Sequence, residues 1–106
     1  MTLKPQKMLL VFADLTDTWQ DAPLHEAIVR VLEKNGLAGA TVLTGIMGYG
    51  RHRRIHSRGL FGMVDAKPVT VLCIDDEQKI TAVLPIILPM VKEGLIAVQD
   101  IDAITT

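Results

Sequence analysis

The chemistry in this 106-residue sequence gathers in one stretch, where Gly45, Gly48 and Gly50 are followed by Arg51, His52, Arg53, Arg54, His56 and Arg58. Glycines expose backbone N–H groups and let a ligand come close, and guanidinium groups beside them complete a cradle for an anion. The charge is local, because the formal net charge of the whole chain is -1. General nucleic-acid binding draws on a broad basic surface, so the pattern points instead to a small anionic ligand.

The same residues admit other readings. His52 and His56 have the spacing of two metal ligands on one helix face, but the arginines between them repel a cation and no helical periodicity runs through the stretch. His52, His56 and Ser57 could supply a base and a nucleophile, yet no acid stands near them in sequence and no nucleophile motif surrounds Ser57. The chain is therefore expected to bind rather than catalyse, with no catalytic residue and no metal site. A bland use of the arginines is to keep a sheet edge soluble. A structural module or nucleic-acid clamp would place them on phosphates, and a metal-binding module is a further alternative. Asp14, Asp17 and Asp21 lack the spacing of a calcium loop and read as turn and cap residues, Asp21 capping the next helix. Cys73 is the only cysteine and lies in an apolar run, as a core residue would.

The elements that must position the basic loop follow from patterning. Residues 7–13 are apolar on consecutive positions, which predicts a strand buried on both faces. Residues 23–35 carry Leu24, Ile28, Val31 and Leu32 at helical spacing, with Pro23 in the first turn and Gly36 just past the end. His25 near the helix start could face a ligand, and Trp19 packs over that start or lines a binding edge. A second strand is expected over residues 40–44 and a third over 69–74. Asp75 and Asp76 then offer caps for a second helix with Ile80, Val83, Leu84, Ile87 and Val91 inward. Pro85 and Pro89 should divide that helix into two short pieces, with Gly94 closing it and residues 95–104 forming the last strand. Leu60, Phe61, Met63 and Val64 in the loop need cover from the domain or a partner.

The order of elements is that of a ferredoxin-like βαββαβ sandwich, an α+β fold with two helices on one face of a four-stranded antiparallel sheet. One domain spans residues 1–106. Two helices cover one sheet face, yet residues 8–12 and 69–74 are apolar on both, so the free face is expected to pack against copies of the chain in a closed oligomer. The first apolar run is too short for a signal peptide and no window approaches the ~20 apolar residues of a membrane helix, which predicts a cytoplasmic protein that is not membrane-embedded.

Residues 36–42 (GLAGATV), followed by Gly48-Tyr49-Gly50-Arg51, resemble the second strand of the PII signalling proteins. The sequence is more similar still to a PII-like branch known as a domain of unknown function. The likeness is carried by residues 23–29 (PLHEAIV), the glycines from 45 to 50, Arg54-Ile55-His56, Leu84-Pro85 and Lys92-Glu93-Gly94-Leu95. The resemblance implies a homotrimer that binds an adenine nucleotide in clefts between subunits. Carried over, Gly39, Ala40 and Thr41 would line the base side, and Gly48, Tyr49, Gly50 and Arg51 the root of a mobile loop. Arg53, Arg54, His56 and Arg58 would contact phosphate or a regulated partner, an enzyme or a membrane transporter reading the 51–64 loop. The loop is shorter than in PII proteins and residues 90–95 lack their glycine-rich phosphate loop, which favours AMP or ADP over ATP.

Overall fold

The first strand, β1 (Thr2–Asp14), is central because its apolar residues alternate toward two different surroundings. It pairs antiparallel with β5 (Pro68–Asp75) from Lys7 opposite Asp75 to Asp14 opposite Pro68, and with β6 (Leu95–Thr105) from Thr2 opposite Thr105 to Phe12 opposite Leu95. The edge strand β4 (Thr41–Thr44) pairs with β5, giving the order β4-β5-β1-β6. The structure, a computed structural model, describes residues 1–50 and 67–105.

Helix α1 (Leu24–Lys34) and helix α2 (Glu77–Ile87) lie on one face of this sheet. Leu24, Ile28 and Leu32 from α1 meet Ile80, Val83 and Ile87 from α2 over Leu9, Val11, Val71 and Cys73. Deleting one of these fully buried side chains would cost about 2–5 kcal/mol. The βαββαβ expectation therefore holds for the order of elements, and Trp19 packs against the core over α1. Two additions escape the sequence pattern. A two-residue hairpin, β2 (Thr18–Trp19) with β3 (Ala22–Pro23), precedes α1, and residues 2–6 extend β1 as an arm paired only with β6.

Several caps differ from expectation. Asp21 does not cap α1: Pro23 holds that position, and Asp21 sits with Gln20 in the hairpin turn at φ values of 66° and 50°. The C-terminus of α1 follows the sequence. Gly36 has φ +80°, its N–H reaches the carbonyl of Glu33, and the N–H of buried Leu37 reaches that of Leu32, the Schellman arrangement. Asp76 occupies the N-cap of α2 with its carboxylate engaged elsewhere, by Gln6 at 3.0 Å and Lys4 at 3.2 Å. Pro85 does not break α2; the change to a 3₁₀ turn comes at Leu88–Met90, where Pro89 lies. Gly94 lies before β6 rather than at the helix end, where a side chain would collide with β1.

By register, Met8, Leu10 and Phe12 share the sheet face away from the helices with Thr70, Leu72, Ile74, Leu43, Leu95 and Ala97. Phe12, Leu43 and Leu95 are exposed on it, so the second apolar face of the sequence is left uncovered by the described residues. Strand β4 is exposed along its whole length.

Candidate functional site

The segment from residue 36 to residue 50 is built outward from α1. Leu37 is the last buried anchor, and after it Ala38, Gly39 and Ala40 are exposed as the chain enters β4. Asp75, at the end of β5, accepts the N–H of Ala38 on Oδ2 at 2.8 Å and the N–H of Asp76 on Oδ1 at 2.7 Å. Lys79, one turn into α2, donates to the Gly36 carbonyl at 3.2 Å and stands 4.0 Å from Asp75. A Cβ at Gly39 would meet nothing within 4 Å, and no positive φ requires glycine there. The described residues give no reason for that glycine, whereas close approach of a ligand or a neighbouring copy would.

At the far end of β4 the chain turns against the start of β5. The N–H of Gly45 donates to the Pro68 carbonyl at 2.8 Å, and a Cβ at Gly45 would stand 2.8 Å from the Pro68 ring. Gly45 is thus needed for packing, Gly48 less so at 3.4 Å, and a Cβ at Gly50 would meet nothing within 4 Å among the described residues. Ile46, Met47 and Tyr49 are exposed beside them. Asp14 fixes the neighbouring strand end: its Oδ1 accepts the N–H of Lys67 at 2.8 Å and its Oδ2 the N–H of Thr16 at 3.0 Å. The side chain of Asp17 in turn accepts the Asp14 N–H at 3.0 Å. The turn role read for Asp14 and Asp17 is the observed one.

Gly39, Ala40 and Thr41 therefore lie at the entry of β4, and Gly48, Tyr49 and Gly50 beyond its exit. The three steps from Thr41 to Thr44 separate the two groups by about 10 Å along one edge strand. They share an edge and do not converge within one chain. Arg51, Arg53, Arg54, His56 and Arg58, with His52, Ser57, Leu60, Phe61, Met63 and Val64, lie outside the described residues. His25 is half-buried, and its Nδ1 is buried with no hydrogen-bond partner among the described residues.

Other polar groups stand apart from this edge. Pro5, Gln6, Lys7, Glu77, Asp100, Ile101 and Asp102 line an open cleft of about 640 Å³ between the β1–β6 arm and the start of α2. Lys7 bridges Asp100 and Glu77 there, and the hydrogen bond to Asp100 is the largest influence raising its ammonium above the usual lysine range. Among the described residues, no three His, Cys, Asp or Glu side chains gather to hold a metal ion. Burial pushes the Cys73 thiol up to about 11, which leaves it protonated and unreactive. Sequence reasoning missed Asp75 as an anchor for the segment before β4. Its only local signal, an acidic pair before a helix, was the same as that of a cap.

Comparison with known proteins places this geometry in a context. A family model described as Uncharacterized ACR, COG1993, matches residues 6–103. A UPF0166 protein of Aquifex aeolicus (strain VF5) is 32% identical over 104 residues, 98% of each chain. A UPF0166 protein of Methanocaldococcus jannaschii is 33% identical over 95 residues, 89% of this chain and 87% of that one. Among solved structures, that of CPII from Thiomonas intermedia K12, a nitrogen regulatory PII-like protein bound to ADP, AMP and bicarbonate, matches with a TM-score of 0.70. The identity is 21%, over 97% of this chain and 99% of that one. The fold is thus PII-like as well as ferredoxin-like.

Proposed function

This chain belongs to the DUF190 family, Uncharacterized ACR, COG1993, and from that premise we propose that it is a trimeric PII-like regulatory protein that binds an adenine nucleotide between subunits. The observation that carries the reading is β4. It is an edge strand exposed on both faces, entered through Gly39, which no contact among the described residues requires, and left through the glycines at 48 and 50. An edge of this kind leaves backbone N–H and C=O groups available, and glycines beside it admit a ligand without steric cost. The uncovered apolar sheet face supports association, since a closed oligomer removes it from water.

CPII, with the same fold, was crystallised with ADP, AMP and bicarbonate, which favours a nucleotide with few phosphates here. On this reading Gly39, Ala40 and Thr41 of one subunit take the base. Gly48, Tyr49 and Gly50 of a neighbour take the phosphate side, which resolves their separation along β4. Arg51 and the basic residues 53, 54, 56 and 58 enter from sequence alone, as the charge for the phosphates and the surface read by a partner protein. The protein works by binding rather than catalysis, in the cytoplasm. No helix among the described residues is long and apolar enough to cross a membrane.

The test is calorimetric titration of the full chain with AMP, ADP, ATP and cyclic AMP, with light scattering on the same sample. Saturable binding of one nucleotide per subunit by a trimer is the expected result. A trimer that binds none of them would leave a structural module and end the nucleotide reading, and a monomer would end the assembly.

A further inference from the structure

We infer that Asp75 and Lys79 are positioning residues for the nucleotide cleft, holding residues 36–41 in the conformation that receives the base. The inference rests on the functional reading above and adds to it the element of the same chain that sets the cleft's affinity.

Strand β5 buries alternate residues, Val69, Val71 and Cys73, toward the helices, and the next position in that series is Asp75, only 5% exposed. Stability alone would be served there by another apolar side chain, since a buried carboxylate must recover the cost of leaving water. Asp75 recovers it from the two N–H donors of Ala38 and Asp76, one on each oxygen. The first donor is 37 residues away in sequence and belongs to the exposed segment just before Gly39. Lys79 takes the Gly36 carbonyl two residues earlier. The end of β5 and the start of α2 thus grip one amide and one carbonyl of a stretch that buries no side chain between Leu37 and β4.

Only a carboxylate accepts from both donors. In an asparagine one oxygen becomes an NH₂ group, which faces an N–H and cannot accept it. Loss of the grip would free residues 38–40 to sample other conformations, and a ligand would then have to order them as it binds.

The test uses the full chain and ADP in a calorimeter, with wild type, Asp75→Asn, Lys79→Met and Lys79→Arg compared, and amide hydrogen exchange of residues 38–41 measured without nucleotide. Asp75→Asn is expected to bind ADP about tenfold more weakly and to exchange faster at Ala38, whose N–H the carboxylate holds. Lys79 is half-exposed, so Lys79→Met should keep its melting temperature within about 4 °C while losing affinity several-fold. Lys79→Arg, which keeps a donor, should restore most of that loss, a rescue that a merely structural role would not produce. Wild-type binding with unchanged affinity and exchange in Asp75→Asn and Lys79→Met would overturn the inference alone. Absence of ADP binding by wild type would overturn the functional reading and the inference with it.

Discussion

The carbonyl oxygen of Phe12 occupies the place where a Cβ on Gly94 would have to stand. The Cγ1 of Val91 would lie 2.8 Å away on the other side, so a side chain there has backbone against it and little room to turn. Gly94→Ala should lower stability by about 2 kcal/mol or more and the melting temperature by roughly 10 °C. Thermal unfolding followed by circular dichroism measures this, and an unchanged melting temperature would refute the close approach.

Gly39 provides the contrast. Its backbone is not left-handed and a Cβ there would meet nothing within 4 Å among the described residues, so Gly39→Ala should leave the melting temperature unchanged or slightly raised through the unfolded chain. Under the nucleotide reading proposed above, the same substitution should weaken ADP binding by about tenfold, because the added methyl would fill the space assigned to the base. A variant that melts and binds like wild type would remove Gly39 from the site.

The hairpin turn before α1 carries two non-glycine residues at positive φ, Gln20 and Asp21. Left-handed backbone is unfavourable for side chains, most of all β-branched ones. Gln20→Val should therefore destabilise by about 1 kcal/mol, and Asp21→Gly should stabilise by about 0.5 kcal/mol. Denaturant titration of the two variants against wild type should move the midpoints in opposite directions.

Asp76 gives a signature in acid. The hydrogen bond from Gln6, and then the contact with Lys4, hold its carboxyl below the ordinary value of 3.8. A carboxyl depressed in the folded state stabilises above its unfolded pKa and loses that contribution as pH falls through the folded value. Asp76→Asn should thus be less stable than wild type by a constant margin from pH 7 to pH 5, and the margin should close below about pH 4. Melting curves across that range decide it, and a margin that persists at pH 2 would point to shape rather than charge.

The sequence reveals much of the fold because its strongest signals are local. The run Met8 to Ala13 declares a central strand, and Leu24, Ile28 and Leu32 with Gly36 declare α1 and its end. Long-range features leave weaker traces. The arm at residues 2–6 has one large apolar residue, Leu3, and contains Pro5, and it becomes a strand because β6 arrives opposite it. The β2–β3 turn lacks the glycine that usually marks left-handed backbone, so Gln20 and Asp21 gave no warning. Asp75 looked like a cap because the amide it holds belongs to Ala38, in another part of the chain. The glycine spacing from 39 to 50 showed where to look for a site. It carried no information on the distance between residues 39–41 and 48–50, which the length of β4 sets apart.

Strand β1 is made first and receives its neighbours last. Both of its partners come from residues 68–105, so at ~5–20 residues per second its apolar core leaves the ribosome several seconds before either can pair with it. The central strand of a nascent chain therefore has neither sheet partner until residues 68–105 have been made, so nearly every hydrogen bond of the sheet closes over a long sequence separation.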